Sequence, residues 1–210
     1  MKVTAREGII EISRLARVLG KEKTLRRNGA VMVKSFFWSP KDLRDVVRVL
    51  HAEEFGRSVC VDGPCPAWLG MCITHSLHPS IVRLNSLDGY VAVGTNIPRG
   101  GVKEGEFEKG KFHWNVERRG DVWLVELSQV DPTKPYCPED LMDLEPPQVP
   151  AGSVVVVSGR MPNYMSASLA MAYHHKCAAC AAWQRNGTGI VVWSHSKDIT
   201  VGDVVPCERN

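Results

Sequence analysis

The sequence lacks the features of a membrane protein and of a non-specific nucleic-acid binder. No apolar run approaches the roughly 18 residues that a membrane-spanning helix needs, and residues 1–7, MKVTARE, lack the apolar segment of a signal peptide. We therefore expect a cytoplasmic protein that does not bind membranes. The formal net charge of +3 falls short of the dense basic surface that binds nucleic acid without specificity. A small anionic ligand in a local basic pocket fits this charge better.

The seven cysteines are an odd number, and in the expected compartment we predict that they are reduced thiols. Cys177 and Cys180 have a spacing found in zinc sites, but no second cysteine or histidine pair lies at metal spacing. Residues 178–182 have the small apolar composition of a buried strand. We expect Cys177 and Cys180 to be core thiols.

Two stretches of the chain occur twice. Residues 39–43, SPKDL, return as CPEDL at 137–141, and the Gly-x-x-Pro element of 62–69 returns at 158–165. An apolar, helix-like run that carries histidines follows each Gly-x-x-Pro element. Such self-similarity predicts two related α+β domains on one chain, with a pseudo-two-fold axis and a cleft between them.

The composition predicts the domain boundaries. Residues 31–96 form the first repeat, 97–111 a linker rich in glycine and charge, and 112–210 the second repeat. Residues 1–30 are a basic N-terminal extension. They could add a strand and a turn, form an arm that binds a partner, or be a solvated face.

The sequence Ser158-Gly159-Arg160 follows a predicted buried strand, Val154–Val157, and precedes a predicted helix. This position presents backbone N–H groups, a hydroxyl and a guanidinium at a helix N-terminus, which is a favourable site for a phosphate. In the alternative interpretation, the glycine serves only to turn the chain.

Histidines follow both predicted helices. His75 and His78 are three residues apart, hence on one helix face, and with Asp88 they could bind a divalent metal ion. His174 and His175 are adjacent, so we expect only one of them in a site. His195 lies between two serines after a strand and could act as a general acid or base. The alternatives are surface or core histidines for the first pair and a solvated turn at His195.

Several elements in the same order resemble the CRISPR-associated Csx-three family. They are SGR-x-P at 158–162, YHH at 173–175, SHS at 194–196 and GDV at 202–204, within a match over most of 112–206. The first repeat is similar but degenerate, keeping Gly63-x-x-Pro66 and His75-x-x-His78.

The resemblance implies a fold and an activity. The fold is a small ferredoxin-like α/β sandwich that dimerises, so this chain would be a tandem of two such repeats forming a pseudo-dimer. Members bind cyclic tetra-adenylate, the messenger of type III CRISPR complexes, and act as manganese-dependent ring nucleases that cut it to linear oligoadenylates. Activity on RNA 3′ ends is also attributed to the family. Its habit of enclosing the ring between dimers predicts that the tandem self-associates into a pseudo-tetramer.

The resemblance also implies roles for individual residues. Ser158 and Arg160 match the phosphate-binding SGR, His174 the essential histidine, and His195 the histidine of SHS, while His78 matches the essential histidine in the first repeat. We expect catalysis by His78, His174, His195 and Asp88, phosphate binding by Ser158, Gly159, Arg160, Arg185 and Ser194, and manganese binding by His75, His78 and Asp88.

The two repeats depart from the family pattern in complementary ways. The second reads Gln184-Arg185-Asn186-Gly187 where members have an acid, and the first has lost the SGR and SHS elements. Fusion followed by division of labour, which leaves one composite site, would produce this pattern. Decay of both sites would produce it too. Cleavage could use a metal ion, or attack by the 2′-hydroxyl with His174 or His195 as acid and base. A non-hydrolytic sensor or sponge, and an RNA-binding or 3′-exonuclease subunit, are the alternatives to a ring nuclease.

Overall fold

Two large β-sheets, a two-stranded hairpin and four α-helices form the described part of the chain, which covers residues 4–6, 8–27, 30–87, 89–101 and 103–207 of a computed structural model. The fold is therefore mixed α+β, as predicted. The helices are α1 (Ile12–Val18), α2 (Asp42–His51), α3 (Ala67–Ser76) and α4 (Asn163–Ala172), with a 3-10 helix at Pro138–Met142. The strands are β1 (Thr4–Arg6), β2 (Ile9–Glu11), β3 (Glu22–Arg27), β4 (Ala30–Phe36), β5 (Ser58–Asp62), β6 (Ile81–Ser86), β7 (Gly89–Ala92), β8 (Gly105–Lys109), β9 (Phe112–Arg119), β10 (Val122–Gln129), β11 (Val154–Ser158), β12 (Ala179–Gln184), β13 (Thr188–Ser194) and β14 (Val204–Pro206).

The two sheets share one plan. The first has the order β1-β2-β5-β6-β7, with β2, β5 and β6 parallel and an antiparallel strand at either side. The second has the order β14-β13-β12-β11-β10-β9-β8, and β10, β11 and β12 are its parallel core. Strands β3 and β4 pair separately as a hairpin.

Helices α3 and α4 lie in the apolar core. Residues 68–74 of α3 and 164–172 of α4 are all buried, because both helices are apolar on every side. The helices pack against each other, and each also contacts the sheet of the other half, α3 on β13 and α4 on β6. The two halves therefore share one hydrophobic core.

Chain direction fixes where functional side chains can lie. Each of α3 and α4 runs back from the end of one parallel strand to the beginning of the next, so it ends at the edge where those strands begin. We call this the amino edge, and the edge where β5, β6, β11 and β12 end the carboxyl edge. Strand β11 has five residues, so the two edges of its sheet lie about 16 Å apart.

The repeated SPKDL and CPEDL sequences build the same cap in both halves. The Asp42 carboxylate accepts a hydrogen bond from the backbone N–H of Ser39 at 2.7 Å, and Asp140 accepts one from the N–H of Cys137 at 3.0 Å. Each carboxylate is almost fully buried and pairs with a lysine. The pairs are Lys21 with Asp42 and Lys111 with Asp140.

The predicted domain boundaries stay a prediction, and strands also form within the predicted extension and linker. Strands β1 and β2, within the predicted N-terminal extension, belong to the first sheet, and β8, within the predicted linker, pairs with β9. Among the described residues no helix has the length and apolar character to cross a membrane. Cys177 and Cys180 are buried free thiols, as predicted, and burial raises the pKa of Cys177 to about 11.

Candidate functional site

Histidines from both halves meet at the amino edges of the two sheets. Nε2 of His75 lies 2.9 Å from Nδ1 of His174, and Nε2 of His195 lies 3.2 Å from the same nitrogen. The rings of His78 and His175 flank His174, with centroids 5.3 Å and 4.4 Å from its own. We call these five residues the histidine cluster.

Separate backbone elements hold the members of the cluster. His75 lies in the last turn of α3, and His174 and His175 follow the end of α4. His195 follows β13, and its backbone N–H donates a 2.7 Å hydrogen bond to the carbonyl of Ala178. The cluster therefore depends on the packing of α3 against α4 and β13, which no local sequence pattern encodes.

The ring of Trp193 packs against the cluster, and this residue could not be singled out in the sequence by any motif. Its ring stacks on His75 with centroids 5.4 Å apart and planes at 14°, and its indole N–H donates to the carbonyl of Ala170 at 3.3 Å. The available signal was its position two residues before His195, because alternate strand residues share a face.

Burial and mutual repulsion keep the central imidazoles neutral. Burial lowers the pKa of His75 to about 3, and the neighbouring imidazoles, His174 first, act in the same direction. Burial likewise lowers the pKa of His174 to about 4, assisted by His175, His195 and His78. At neutral pH both rings therefore keep a lone pair that can accept a proton or bind a metal ion.

The cluster contains two groups with metal-binding geometry. His75, His174 and His195 form one and His78, His174 and His175 the other, each with its ligand atoms within 4.8 Å of one another. His75 and His78 thus belong to different candidate groups, which share His174. The reason is that α3 ends at Ser76, so His78 lies in a turn where the helical spacing no longer applies.

The expectation that only one of His174 and His175 belongs to a site stays a prediction, although both are members of the second candidate group. Helix α4 ends at Ala172, so the rings of His174 and His175 are not held on different helix faces. Their centroids lie 4.4 Å apart.

Asp88, the predicted carboxylate ligand, lies outside the described residues. Its neighbours Leu87 and Gly89 follow β6 at the carboxyl edge, whereas His78 precedes that strand. Strand β6, with six residues, separates His78 from Leu87 by about 20 Å along the chain direction. In the described part of the chain, the candidate ligand groups hold histidines alone. This donor set does not fit manganese, which prefers carboxylate, carbonyl and water oxygens.

A second feature, which we call the anion cavity, lies at the carboxyl edge on the face of the second sheet turned away from the helices. It has a volume of about 300 Å³. Ser158 and Arg185 both line it, and the Ser158 hydroxyl donates to Glu126 Oε1 at 3.4 Å. Its lining residues are Arg119, Leu124, Glu126, Ser158, Trp183, Arg185, Gly187 and Cys207.

The other predicted phosphate-binding residues lie elsewhere or have a backbone role. Gly159 has a φ of 141°, and a β-carbon there would overlap the carbonyl oxygen of Leu127, so the turn requires glycine. Arg160 follows the lining residue Ser158 by two positions, but its side chain is exposed and does not line the cavity. Ser194 lies at the amino edge, where its hydroxyl accepts the N–H of Ser196 at 3.0 Å. The structure thus joins Ser158 to Arg185, and His174 to His195, at opposite edges of one sheet.

Part of the chain matches a known protein family. Residues 129–206 match the model described as CRISPR-associated protein (Cas_csx3). A protein of Aquifex aeolicus (strain VF5), described as uncharacterized, is 32% identical over 100 residues, which cover 45% of this chain and 87% of that protein. The chain belongs to the Csx3 family. The family indicates a CRISPR-associated role. Ser158, His174, Arg185 and His195 all lie within the Csx3 match, whereas His75 and His78 lie outside it.

Proposed function

We propose that this protein is a ring nuclease that binds cyclic tetra-adenylate and cleaves a phosphodiester bond in it, which ends type III CRISPR signalling. The observation that carries the proposal is the contact of His75 and His195 with the neutral imidazole of His174. His174 and His195 lie within the Csx3 match, and His75 lies outside it. Neutral imidazoles have a free lone pair that can bind a metal ion, and histidine is the side chain that most often transfers protons in enzymes.

The anion cavity supports a cyclic phosphodiester as the ligand. Arg185 can pair with a phosphate, and the Ser158 hydroxyl, which donates a long hydrogen bond to Glu126 Oε1 in this structure, can rotate to donate to a phosphate oxygen instead. Trp183 adds an aromatic face on which a base can stack. A ring of four nucleotides offers both groups several times, so one ring can fill the cavity and still extend beyond it.

The separation of the two sites has a consequence for assembly. The anion cavity and the histidine cluster lie about 16 Å apart at opposite edges of the second sheet, and the cavity opens on the face away from the helices. We infer that a ring held in the cavity of one molecule meets the histidine cluster of another. Cleavage therefore requires self-association, in line with the expected pseudo-tetramer.

We further infer that the two halves are Csx3 repeats fused into a pseudo-dimer, although the parallel core of each sheet differs from the antiparallel sheet of the expected ferredoxin-like fold. The shared sheet plan and the duplicated lysine–aspartate cap support this. The packing of α3 on α4 places equivalent helices at the centre.

The experiment is incubation of the purified protein with cyclic tetra-adenylate, with and without EDTA, followed by chromatography of the products. We expect linear oligoadenylates, at a rate per molecule that rises with protein concentration. Persistence of the intact ring under all conditions would overturn the proposal.

A mixing experiment tests whether the site is shared between molecules. His174→Ala and Arg185→Ala should each be inactive, whereas their mixture should recover about a quarter of the activity, because random head-to-tail pairing unites one intact cavity with one intact cluster. A mixture of His174→Ala with His195→Ala is the matched control and should recover nothing. Absence of ring cleavage in both mixtures would exclude a shared site.

The same separation also favours one alternative, a non-hydrolytic sensor. A molecule that does not self-associate would bind the ring in its cavity without bringing a histidine to it. Tight binding with no product at any protein concentration would identify this function.

A further inference from the structure

The nitrogen atoms of His75, His174 and His195 are spaced as ligands of one small ion. The two shortest separations are 2.9 Å and 3.2 Å, and all three atoms lie within 4.8 Å of one another. In a tetrahedral zinc site with Zn–N bonds of 2.0–2.1 Å, neighbouring nitrogens lie about 3.4 Å apart. The two short separations are a few tenths of an ångström from this spacing, and the third, within 4.8 Å, can be closed by a movement of at most about 1.4 Å, for which the exposed ring of His195 has room.

The three ligands are held before any ion arrives. His75 is fixed on α3 by its stacking on Trp193, and His195 by the hydrogen bond of its backbone to Ala178. His174 lies between them at the end of α4. Side chains positioned by different packed elements lose little freedom when an ion binds, which favours affinity.

The burial of the three rings leaves one side of the group open. His75 and His174 are partly buried, whereas His195 is exposed. An ion can enter from the side of His195, and its fourth coordination position then faces solvent or a ligand. Three protein ligands with an open fourth position are typical of catalytic zinc sites, whereas structural zinc sites use four.

We propose that His75, His174 and His195 form a binding site for a zinc-class divalent ion, Zn²⁺ first, to which the first half of the chain contributes His75 and the second half the other two ligands. The donor set selects the ion, because imidazole suits zinc, nickel and copper, and manganese prefers oxygen ligands. The site departs in this respect from the manganese that the family resemblance implies.

The proposal gives the first half a function that its sequence alone does not reveal. His75 has no histidine counterpart in the second half, where Met171 occupies the equivalent position. A site made of residues from both halves binds only when they are packed together, so the ion should also stabilise that packing. Ion binding is independent of ring cleavage and can be measured without it.

Equilibrium dialysis of the full chain against Zn²⁺ and against Mn²⁺ tests the site. We expect one tightly bound Zn²⁺ per chain, at least about 100-fold weaker binding of Mn²⁺, and a rise of Tm with Zn²⁺. His195→Ala, at an exposed position, should weaken Zn²⁺ binding by about 100-fold or more, since loss of a direct ligand exceeds the 10–100-fold effect of losing an outer partner. His75→Ala should do the same.

His175→Ala and His78→Ala are the matched controls, because they alter only the second group of histidines. Both should bind Zn²⁺ like the unaltered protein. Loss of binding in these controls with retention in His195→Ala would place the ion in the other group and overturn the proposal. Absence of Zn²⁺ binding, or equal binding of Mn²⁺, would also overturn it, whatever the outcome of the ring-cleavage assay.

Discussion

Asp62 and Ser158 occupy the same place in the two halves, each as the last residue of the central parallel strand. In the second half the Ser158 hydroxyl lines the anion cavity. In the first, the Asp62 carboxylate accepts a 2.7 Å hydrogen bond from the Asn85 amide, and its charge would repel a phosphate. At the amino edges the two halves are alike, because both supply histidines there. The comparison teaches that the two halves share a sheet plan and both supply histidines at the amino edge, whereas at the carboxyl edge one has a serine and the other a carboxylate.

The outer faces of the two sheets differ accordingly. In the second sheet this face is apolar, with Val122, Leu124, Val156 and Val191 buried beneath the segment that leads to Cys207. In the first sheet this face is exposed and mixed, with Ile81 and Tyr90 beside polar side chains. Its hydrogen-bonded pairs include Ser58 with Arg83 and Asp62 with Asn85. One half presents a covered face with a cavity, and the other an exposed surface.

The largest expected effect concerns the histidine that both metal-binding groups share. His174→Ala should reduce ring cleavage by about 100-fold or more, because general acid–base catalysis alone contributes that much. His175→Ala, which alters the adjacent exposed ring, should have a much smaller effect. The readout is the cleavage rate at saturating ring, with unfolding by urea to show that both variants are folded. Equal losses in the two variants would contradict a central role for His174.

An aspartate, the residue type that the first half has at the equivalent place, can be introduced into the anion cavity. Ser158→Asp places a carboxylate where the ring's phosphates are expected, and ring affinity should fall by about 10- to 100-fold because like charges brought together cost several kcal/mol. Ser158→Ala removes only the hydroxyl and should bind more tightly than Ser158→Asp. The converse change, Asp62→Ser, should leave affinity unchanged. Binding is measured by isothermal titration with cyclic tetra-adenylate, and unchanged affinity in Ser158→Asp would remove the cavity from ring binding.

The duplicated caps should make similar contributions to stability. Burial alone would raise the pKa of Asp140, but hydrogen bonds from Cys137 and Lys111 outweigh it and the pKa is lowered. Asp140→Asn should reduce the free energy of unfolding at pH 7 by about 1.5–3 kcal/mol, the range for a hydrogen bond to a charged group. Asp42→Asn should cost a comparable amount. Urea unfolding measures both.

The lowered pKa also fixes the sign of the pH dependence. The stability that Asp140 contributes is fully present above the pKa of the unfolded carboxyl, near 3.9, and is lost as the pH falls through the lower pKa of the folded state. The unaltered protein should therefore lose more stability between pH 6 and pH 3 than Asp140→Asn does. Parallel curves for the two proteins would contradict this account.

The smallest expected effect lies at a surface contact between the halves. Arg44 on α2 pairs with Asp203 at 2.6 Å and donates to the carbonyl of Val201 at 3.0 Å. Both side chains are more than one-third exposed, so Arg44→Ala should cost only about 0.5 kcal/mol. A loss above 2 kcal/mol in urea unfolding would show that this contact organises the halves.

The sequence allowed the local elements to be predicted, since their causes are local. Apolar runs bounded by Gly and Pro placed α3, α4 and β11 close to their observed limits. The separation of Ser158 from His174 could have been predicted too, because a helix that follows a parallel strand returns to the opposite edge. The contact of His75 with His174 could not, because it depends on the packing of two helices far apart in sequence. The same holds for the stacking of Trp193 on His75.

The presence of both halves on one chain has a consequence for how such a protein can change. In a symmetric dimer of identical chains, each substitution appears at both equivalent positions, so a change that removes one anion site removes the other. Here Asp62 and Ser158 are encoded separately, although they occupy matching places in matching sheets. An alteration at one place can persist while the unaltered counterpart preserves the original chemistry. The covalent link between the halves thus turns a symmetry constraint into two independent positions.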